Sequence, residues 1–315
     1  MGRGRLLNNS GATAVASSMN CFMTDATSTV GQVALQSLLS DEAVEHISVL
    51  ARHPEEFPIK HEKLTVVAGN LLEPGPWQLV AAECDTVIHV AGIRFIPQVL
   101  SLMRAGHISQ LVVVGTTGVF SRFKSASEEY IHDEELLRAF LIENPTVRCV
   151  VLRPTMIYGH AGDRNVSVLQ AWFRRHSLFP MFGDAHALIQ PVYDADLASA
   201  VVAAVRQQCE PAGFYNVSSR TPLTYRQFIE AIAAVVGTRP QFVRLPVRAS
   251  AALFETAHRL VPRFPFDGEQ VWRTTDDCAF DWSAAGAALG FAPRSFEEGL
   301  RLQLERMDSS SGAER

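Results

Sequence analysis

The chain has 315 residues, 47% of them hydrophobic and 19% charged. That is too apolar for a disordered polymer and long enough for a main domain plus a smaller lobe. A formal net charge of -5 excludes a nucleic-acid partner held by phosphate neutralisation. Among the 28 basic residues, only Lys60, Lys63 and Lys124 are lysines. The five cysteines contain no C-x-x-C pair and the ten histidines no H-x-x-x-H pair. No metal site and no disulfide framework is expected, and a reducing, cytoplasmic setting fits.

The stretch from Leu6 to Thr24 carries no charge, but Asn8, Asn9, Ser10, Gly11, Ser17, Ser18 and Asn20 make it too polar to cross a bilayer. Residues 1–18, with Arg3 and Arg5 and no acid, have a weak transit-peptide character. They read better as a disordered extension, or as the product of an upstream start codon.

From there, short apolar runs alternate with helical patterns. The spacing predicts a strand at 20–24, a helix at 30–39, and strands at His46–Ala51, Leu64–Ala68 and Thr86–Ala91. A helix at 95–105, a strand at Leu111–Val114, a helix at 127–143 and a strand at Arg148–Leu152 follow. The strands are continuous apolar runs, as expected when helices cover both faces, and right-handed crossovers then give an α/β doubly wound, Rossmann-like parallel sheet. This first domain spans 19–160. Residues 161–307 are expected mostly as a smaller α/β substrate lobe that partly returns to the first domain. Another strand is expected at Phe214–Ser218, then a capping box Thr224–Gln227 before a helix at 225–236, and a strand at Gln241–Leu245. A helix at 248–261 reads as core packing of that lobe, and a second capping box, Ser295–Glu298, opens the last helix. Residues 308–315 are expected to be a disordered tail.

Several motifs then occur in a telling order. Leu152-Arg153-Pro154-Thr155-Met156-Ile157-Tyr158-Gly159, His89-Val90-Ala91-Gly92-Ile93-Arg94, Gln190-Pro191-Val192-Tyr193-Asp194-Ala195-Asp196-Leu197-Ala198 and Leu289-Gly290-Phe291-Ala292-Pro293 resemble the landmarks of the extended and atypical short-chain dehydrogenase/reductases, the NAD-dependent epimerase/dehydratase family. The resemblance covers roughly 19–305 and extends to the branch that contains a nucleotide-binding accessory subunit of respiratory complex I. It implies an NAD(P) cofactor and a small-molecule substrate such as a sugar nucleotide, and leaves a homodimer open.

The chain also departs from the family pattern. The expected T-G-x-x-G-x-x-G loop reads Thr24-Asp25-Ala26-Thr27-Ser28-Thr29-Val30-Gly31, keeping only its third glycine. Asp25 tolerates a left-handed turn, but its carboxylate would repel a diphosphate. The Ser28 hydroxyl could donate to one at the helix N-terminus; alternatively the loop caps the helix and binds nothing. Arg52 stands where an acid would grip the adenosine ribose of NAD, which suits the 2′-phosphate of NADP, or it is a surface arginine. Leu71, Val90, Ala91, Gly92, Pro154, Thr155 and Ile157 stand at further cofactor contacts that the resemblance implies, as do Asn70, which replaces the family's acid, and Arg94, which replaces a lysine.

Thr116 matches the family's catalytic Ser/Thr, but the Tyr-x-x-x-Lys pair is absent. Counting back from Arg153 puts Ala126 at the tyrosine position, whereas taking Tyr130 as the tyrosine puts Glu134 at the lysine. The acidic run Glu128–Glu135 reads as a solvated helix face. Proton transfer would fall to Thr116, to Tyr130, or to a second-lobe group such as His160 or His186. Arg164, Asn165 and Gln190 are the candidate substrate contacts, with a surface salt bridge as the other reading of Arg164. Asp196 is expected to be an N-cap. Two functions remain open: an oxidoreductase or epimerase with an atypical active site, and a non-catalytic nucleotide-binding or assembly protein.

Overall fold

The computed structural model describes residues 18–160, 162–163, 165–206, 212–260 and 268–313. Arg164, Cys209 and residues 1–17 lie outside them. The chain runs β1 (Met19–Thr24), α1 (Thr29–Leu39), β2 (Val44–Ala51), β3 (Leu64–Ala68), α2 (Trp77–Ala82), β4 (Thr86–His89), α3 (Ile96–Ala105), β5 (Gln110–Val114), α4 (Lys124–Glu143) and β6 (Arg148–Pro154). The remainder is β7 (Ile157–Tyr158), α5 (Val166–Phe173), β8 (Leu178–Phe182), β9 (Leu188–Ile189), β10 (Val192–Tyr193), α6 (Asp194–Arg206), β11 (Ala212–Val217), β12 (Leu223–Thr224), α7 (Tyr225–Val235), β13 (Gln241–Leu245), α8 (Val247–Leu260), α9 (Gly268–Arg273), α10 (Ser283–Leu289) and α11 (Phe296–Ala313).

Seven strands form one parallel sheet in the order β11-β6-β5-β4-β1-β2-β3. Successive strand side chains feed opposite layers. Cys21, Met23, Ile88, Val112 and Leu152 pack under α1, α6 and α10. Phe22, Val87, Leu111, Val113 and Val151 pack under α2, α3 and α4. This two-sided burial is why the strands read as unbroken apolar runs. The order reverses beside β1, between β4 and β2, so the open crevice lies at the carboxyl ends of these strands.

The second lobe has its own core of Tyr158, Phe173, Phe228, Ile229, Phe296 and Leu300. Three two-stranded pieces, β7/β10, β9/β12 and β8/β13, frame it. Both capping boxes form: Thr224 Oγ1 accepts from Gln227 N, and Ser295 Oγ accepts from Glu298 N at 3.2 Å.

The strand expected near 214 pairs with β6, Phe214 opposite Val151, and is the return of this part of the chain to the main sheet as its seventh strand. Three expectations change. In α8 only Ser250 and Ala251 are buried, while Leu253 and Leu260 face solvent, so this helix lies over the lobe instead of filling it. Asp196 is inside α6; its carboxylate takes the Arg294 backbone N–H at 2.9 Å and the Arg294 guanidinium, which ties the last loop to α6. Finally, α11 continues through the expected tail to Ala313.

Candidate functional site: two joined clefts at the strand ends

The turn after β1 fits the chain where it departs from a glycine-rich loop. Asp25 adopts a left-handed conformation (φ 56°), the geometry the first glycine would supply. Gly31 is obligatory, since a Cβ there would sit 2.2 Å from the Asp25 carbonyl oxygen. Ser28 caps α1 by accepting from Gly31 N at 3.1 Å and donates its hydroxyl to the Asp25 carbonyl at 2.9 Å. The hydrogen expected to reach a phosphate is therefore committed within the loop. Burial pushes the Asp25 carboxyl above its ordinary range, against the opposing pull of Ser28 and of the Arg52 charge.

Thr24 and His89 close the floor. The His89 Nε2–H donates to the Gly92 carbonyl at 2.9 Å, which leaves Nδ1 to accept from the Thr24 hydroxyl at 2.9 Å. The imidazole is fully buried, and burial lowers its pKa from 6.5 to about 4. Below about 6.5 the unfolded chain takes up a proton that the folded chain refuses until about pH 4. Folding stability should thus fall with a one-proton slope across that window, and His89→Asn should remove that slope. Urea unfolding between pH 7.5 and 4.5 checks it; an unchanged slope in the variant rules the assignment out.

Two clefts flank Asp25 and Thr27. The first, about 520 Å³, lies over the ends of β1, β2 and β3 and is bordered by Thr24, Arg52, Asn70, Leu71, Ala91 and Arg94 from the expected set. The second, about 350 Å³, is bordered by Ser28, Thr29, Val30, Val90 and Ile157. Asp25 and Thr27 border both, so the clefts join into one trench across the switch point of the sheet. Asn70 is folded into an Asx turn, donating to Glu73 and accepting from Leu72 N. Ala26, Gly31, Gly92, Pro154 and Thr155 border neither cleft and shape its walls; Thr155, for example, donates its hydroxyl to the Gln190 carbonyl.

Residues that sequence reasoning had not placed also enter. His53, Glu56 and Phe57 border the first cleft, and Asp194 and Val114 the second. Of these, Asp194 carried a signal, as a member of the Gln190–Ala198 motif. His160, one of the two second-lobe candidates for proton transfer, borders the second cleft as well. His160 shares the second cleft with Asp194, and its Nδ1 is buried without a hydrogen-bond partner, whereas His186 is exposed and borders neither cleft.

The expected catalytic and substrate residues fare differently. Thr116 Oγ1 accepts from Gly118 N at 3.0 Å, and the Tyr130 ring packs against the same Gly118. The structure brings the two together, but neither borders either cleft. The acidic run is not uniformly solvated: Glu128, Glu129 and Glu135 are exposed, yet Asp133 and Glu134 are buried. Glu134 holds Arg153 in a two-pronged ion pair, with Nε donating to Oε1 at 2.7 Å and Nη2 to Oε2. Arg153 lies between the Phe120 and Phe214 rings, 5.1 and 4.9 Å from their centroids. With Arg153 there, the position four residues after Tyr130 calls for an acid; a lysine would meet a buried like charge.

Gln190 is a brace rather than a cleft residue. Its amide donates to the Ser219 carbonyl at 2.7 Å and accepts from Phe280 N at 3.0 Å. Asn165 is exposed at the start of α5, where Asp163 supplies the cap by accepting from Asn165 N and Ser167 N. Among the described residues no group of three or more His, Cys, Asp or Glu could hold a metal, and no helix is long and apolar enough to cross a membrane.

Comparison with known proteins bears on the family and the fold. The profile of the NAD(P)H-binding family matches residues 26–175, and that of the 3-beta hydroxysteroid dehydrogenase/isomerase family matches 117–247. The chain is 24% identical to the mitochondrial NADH dehydrogenase (ubiquinone) 1 alpha subcomplex subunit 9 of Arabidopsis thaliana, over 46% of this chain but only 33% of that protein. It is 24% identical to the 2-alkyl-3-oxoalkanoate reductase of Shewanella oneidensis, over 76% of this chain and 74% of that one. The UDP-glucose 4-epimerase of Thermotoga maritima, solved with UDP-glucose, superposes with a TM-score of 0.70 at 15% identity, covering 93% of this chain and 99% of that one.

Proposed function

Because the chain belongs to the extended short-chain dehydrogenase/reductase, NAD-dependent epimerase/dehydratase family, we propose that it binds a nicotinamide dinucleotide along the joined clefts and acts as an oxidoreductase or epimerase on a sugar nucleotide or related polar metabolite in the cytoplasm. One observation carries this reading: Asp25 and Thr27 join two clefts at the switch point of a doubly wound sheet. The pair lies where a doubly wound sheet takes a dinucleotide. The first cleft would hold the adenosine half, and the second the diphosphate and the nicotinamide ribose. A bound nicotinamide would supply or accept a hydride; the chain's part is to bind it, orient it and handle the proton. Shape and helix placement fit such a group. Asp25 opposes it in charge, and Arg52 tempers that opposition.

Arg52 and Arg94 border the adenosine side together with His53, and Arg52, directly after β2, stands where an acid would hold two ribose hydroxyls; Glu56 also borders this side but is exposed to solvent. NADPH should therefore bind at least several-fold more tightly than NADH, and Arg52→Ala should erase most of the difference. Calorimetric titration with both checks this; tighter NADH, or equal affinities, removes Arg52 from the site.

A second reading, a nucleotide-binding or assembly protein without turnover, draws on the Glu134–Arg153 pair and on Thr116 and Tyr130 lying off both clefts. A turnover assay on UDP-sugars separates the two. If the proton passes through Thr116 or Tyr130, Thr116→Ala and Tyr130→Phe each abolish turnover. Robust turnover untouched by both changes moves the active site elsewhere. Dinucleotide binding without any turnover leaves the second reading in possession.

A further inference from the structure

We propose that the terminal helix α11 is part of the diphosphate site, because Arg306 cancels the charge of Asp194 and so lets the second cleft admit a diphosphate. The inference rests on the proposed dinucleotide reading and adds to it a residue from the far end of the chain.

Asp194 opens α6 and is completely buried, yet it borders the second cleft, as Asp25 does. Its approach requires Gly159, whose φ is 133° and where a Cβ would lie 2.4 Å from Asp194 Oδ1. Burial raises the Asp194 carboxyl above its ordinary range; the Arg306 charge, the Ala195 N–H and His160 pull it back. An unneutralised carboxylate there would repel a diphosphate across a low-dielectric gap.

Arg306 reaches this carboxylate from α11. Its Nη1 donates to Oδ1 at 3.1 Å and Oδ2 at 3.3 Å, and to the Gly159 carbonyl at 3.3 Å. The guanidinium lies 5.0 Å from the centroid of the Tyr193 ring, which limits its swing. It also borders a cavity of about 700 Å³ whose wall includes Thr29 and His160, and both of these border the diphosphate cleft. Arg306 therefore stands behind Asp194 as seen from the cleft. Each acid that faces the cleft has its own arginine from outside the phosphate loop: Arg52 acts on Asp25 and Arg306 on Asp194.

The test titrates inorganic pyrophosphate, and separately NADP+, into the full chain and into Arg306→Gln, Arg306→Lys, Asp194→Asn and the double variant Asp194→Asn/Arg306→Gln, with thermal midpoints measured alongside. Arg306→Gln should weaken pyrophosphate at least about fivefold, while Arg306→Lys stays within about twofold. Asp194→Asn should tighten it, and the double variant, again neutral as a pair, should return close to the parent. A purely structural clasp would lower the thermal midpoints and leave pyrophosphate affinity unchanged in every folded variant; that result overturns the inference, as does the absence of pyrophosphate binding in all of them. Should Arg306→Gln fail to fold, Asp194→Asn and the double variant decide, because neither leaves a buried charge alone. If pyrophosphate affinity follows Arg306 while NADP+ never binds, the inference stands and the dinucleotide reading falls.

Discussion

Asp25→Asn should tighten dinucleotide binding at least about tenfold at neutral pH and flatten its pH dependence. Asparagine tolerates the left-handed backbone at φ 56° nearly as well as aspartate, so the substitution changes charge and leaves the turn intact. Two unit charges ~4 Å apart repel by ~4 kcal/mol at an effective dielectric of 20. Solvent in the open cleft and the nearby Arg52 reduce this, and even about 1.4 kcal/mol amounts to tenfold. The sign with pH follows from the raised carboxyl of Asp25. A carboxyl that is harder to ionise when folded becomes neutral first as pH falls, and neutral Asp25 no longer repels the diphosphate. Affinity in the parent should therefore rise toward acid, while the variant stays flat. NADH is the probe for the pH series, since it lacks the titrating 2′-phosphate of NADPH. Parallel pH profiles with equal affinities would mean that Asp25 plays no part in holding the ligand.

The second large effect concerns folding. Glu134→Gln should destabilise the protein by about 3–5 kcal/mol, because it leaves the buried Arg153 guanidinium without its carboxylate. Arg153→Met should cost less. Glu134 keeps a second guanidinium, Arg138, at 3.8 Å, and the Phe120 and Phe214 rings can close on a methionine of similar length. The double variant Glu134→Leu/Arg153→Met should recover most of the loss. Urea unfolding with unchanged m-values checks all three. Losses below about 1 kcal/mol for both single variants would show that the pair is better hydrated than its burial implies.

Much of the architecture was legible because its causes are local. The unbroken apolar run Leu111–Val114, the helical stripe Val30, Ala34, Leu35, Leu38 and Leu39, and the two capping boxes each act within a few residues. The left-handed turn at Asp25 and the need for Gly31 were likewise written in the loop. A period of two or 3.6 residues and a cap three residues away leave marks in any sequence that uses them.

What the tertiary structure alone decided are the pairings between distant residues, which leave no periodic trace. Which sheet takes Phe214 depends on β6 offering a free edge, not on the apolar character of the strand itself. Glu134 looks like one more acid on a polar helix until Arg153, 19 residues on, arrives on β6 and buries it. Gln190 resembles a cleft residue until Ser219 and Phe280 occupy its amide. Asp194 meets Arg306 across 112 residues, and only the fold brings that pair to the cleft that Asp25 borders. The sequence by itself therefore determined the layers, the order of the strands along the chain and the loop that holds Asp25. The charge balance of the clefts was decided by long-range contacts, because the dielectric and the partners that set the energy of a buried charge exist only once the chain has closed around it.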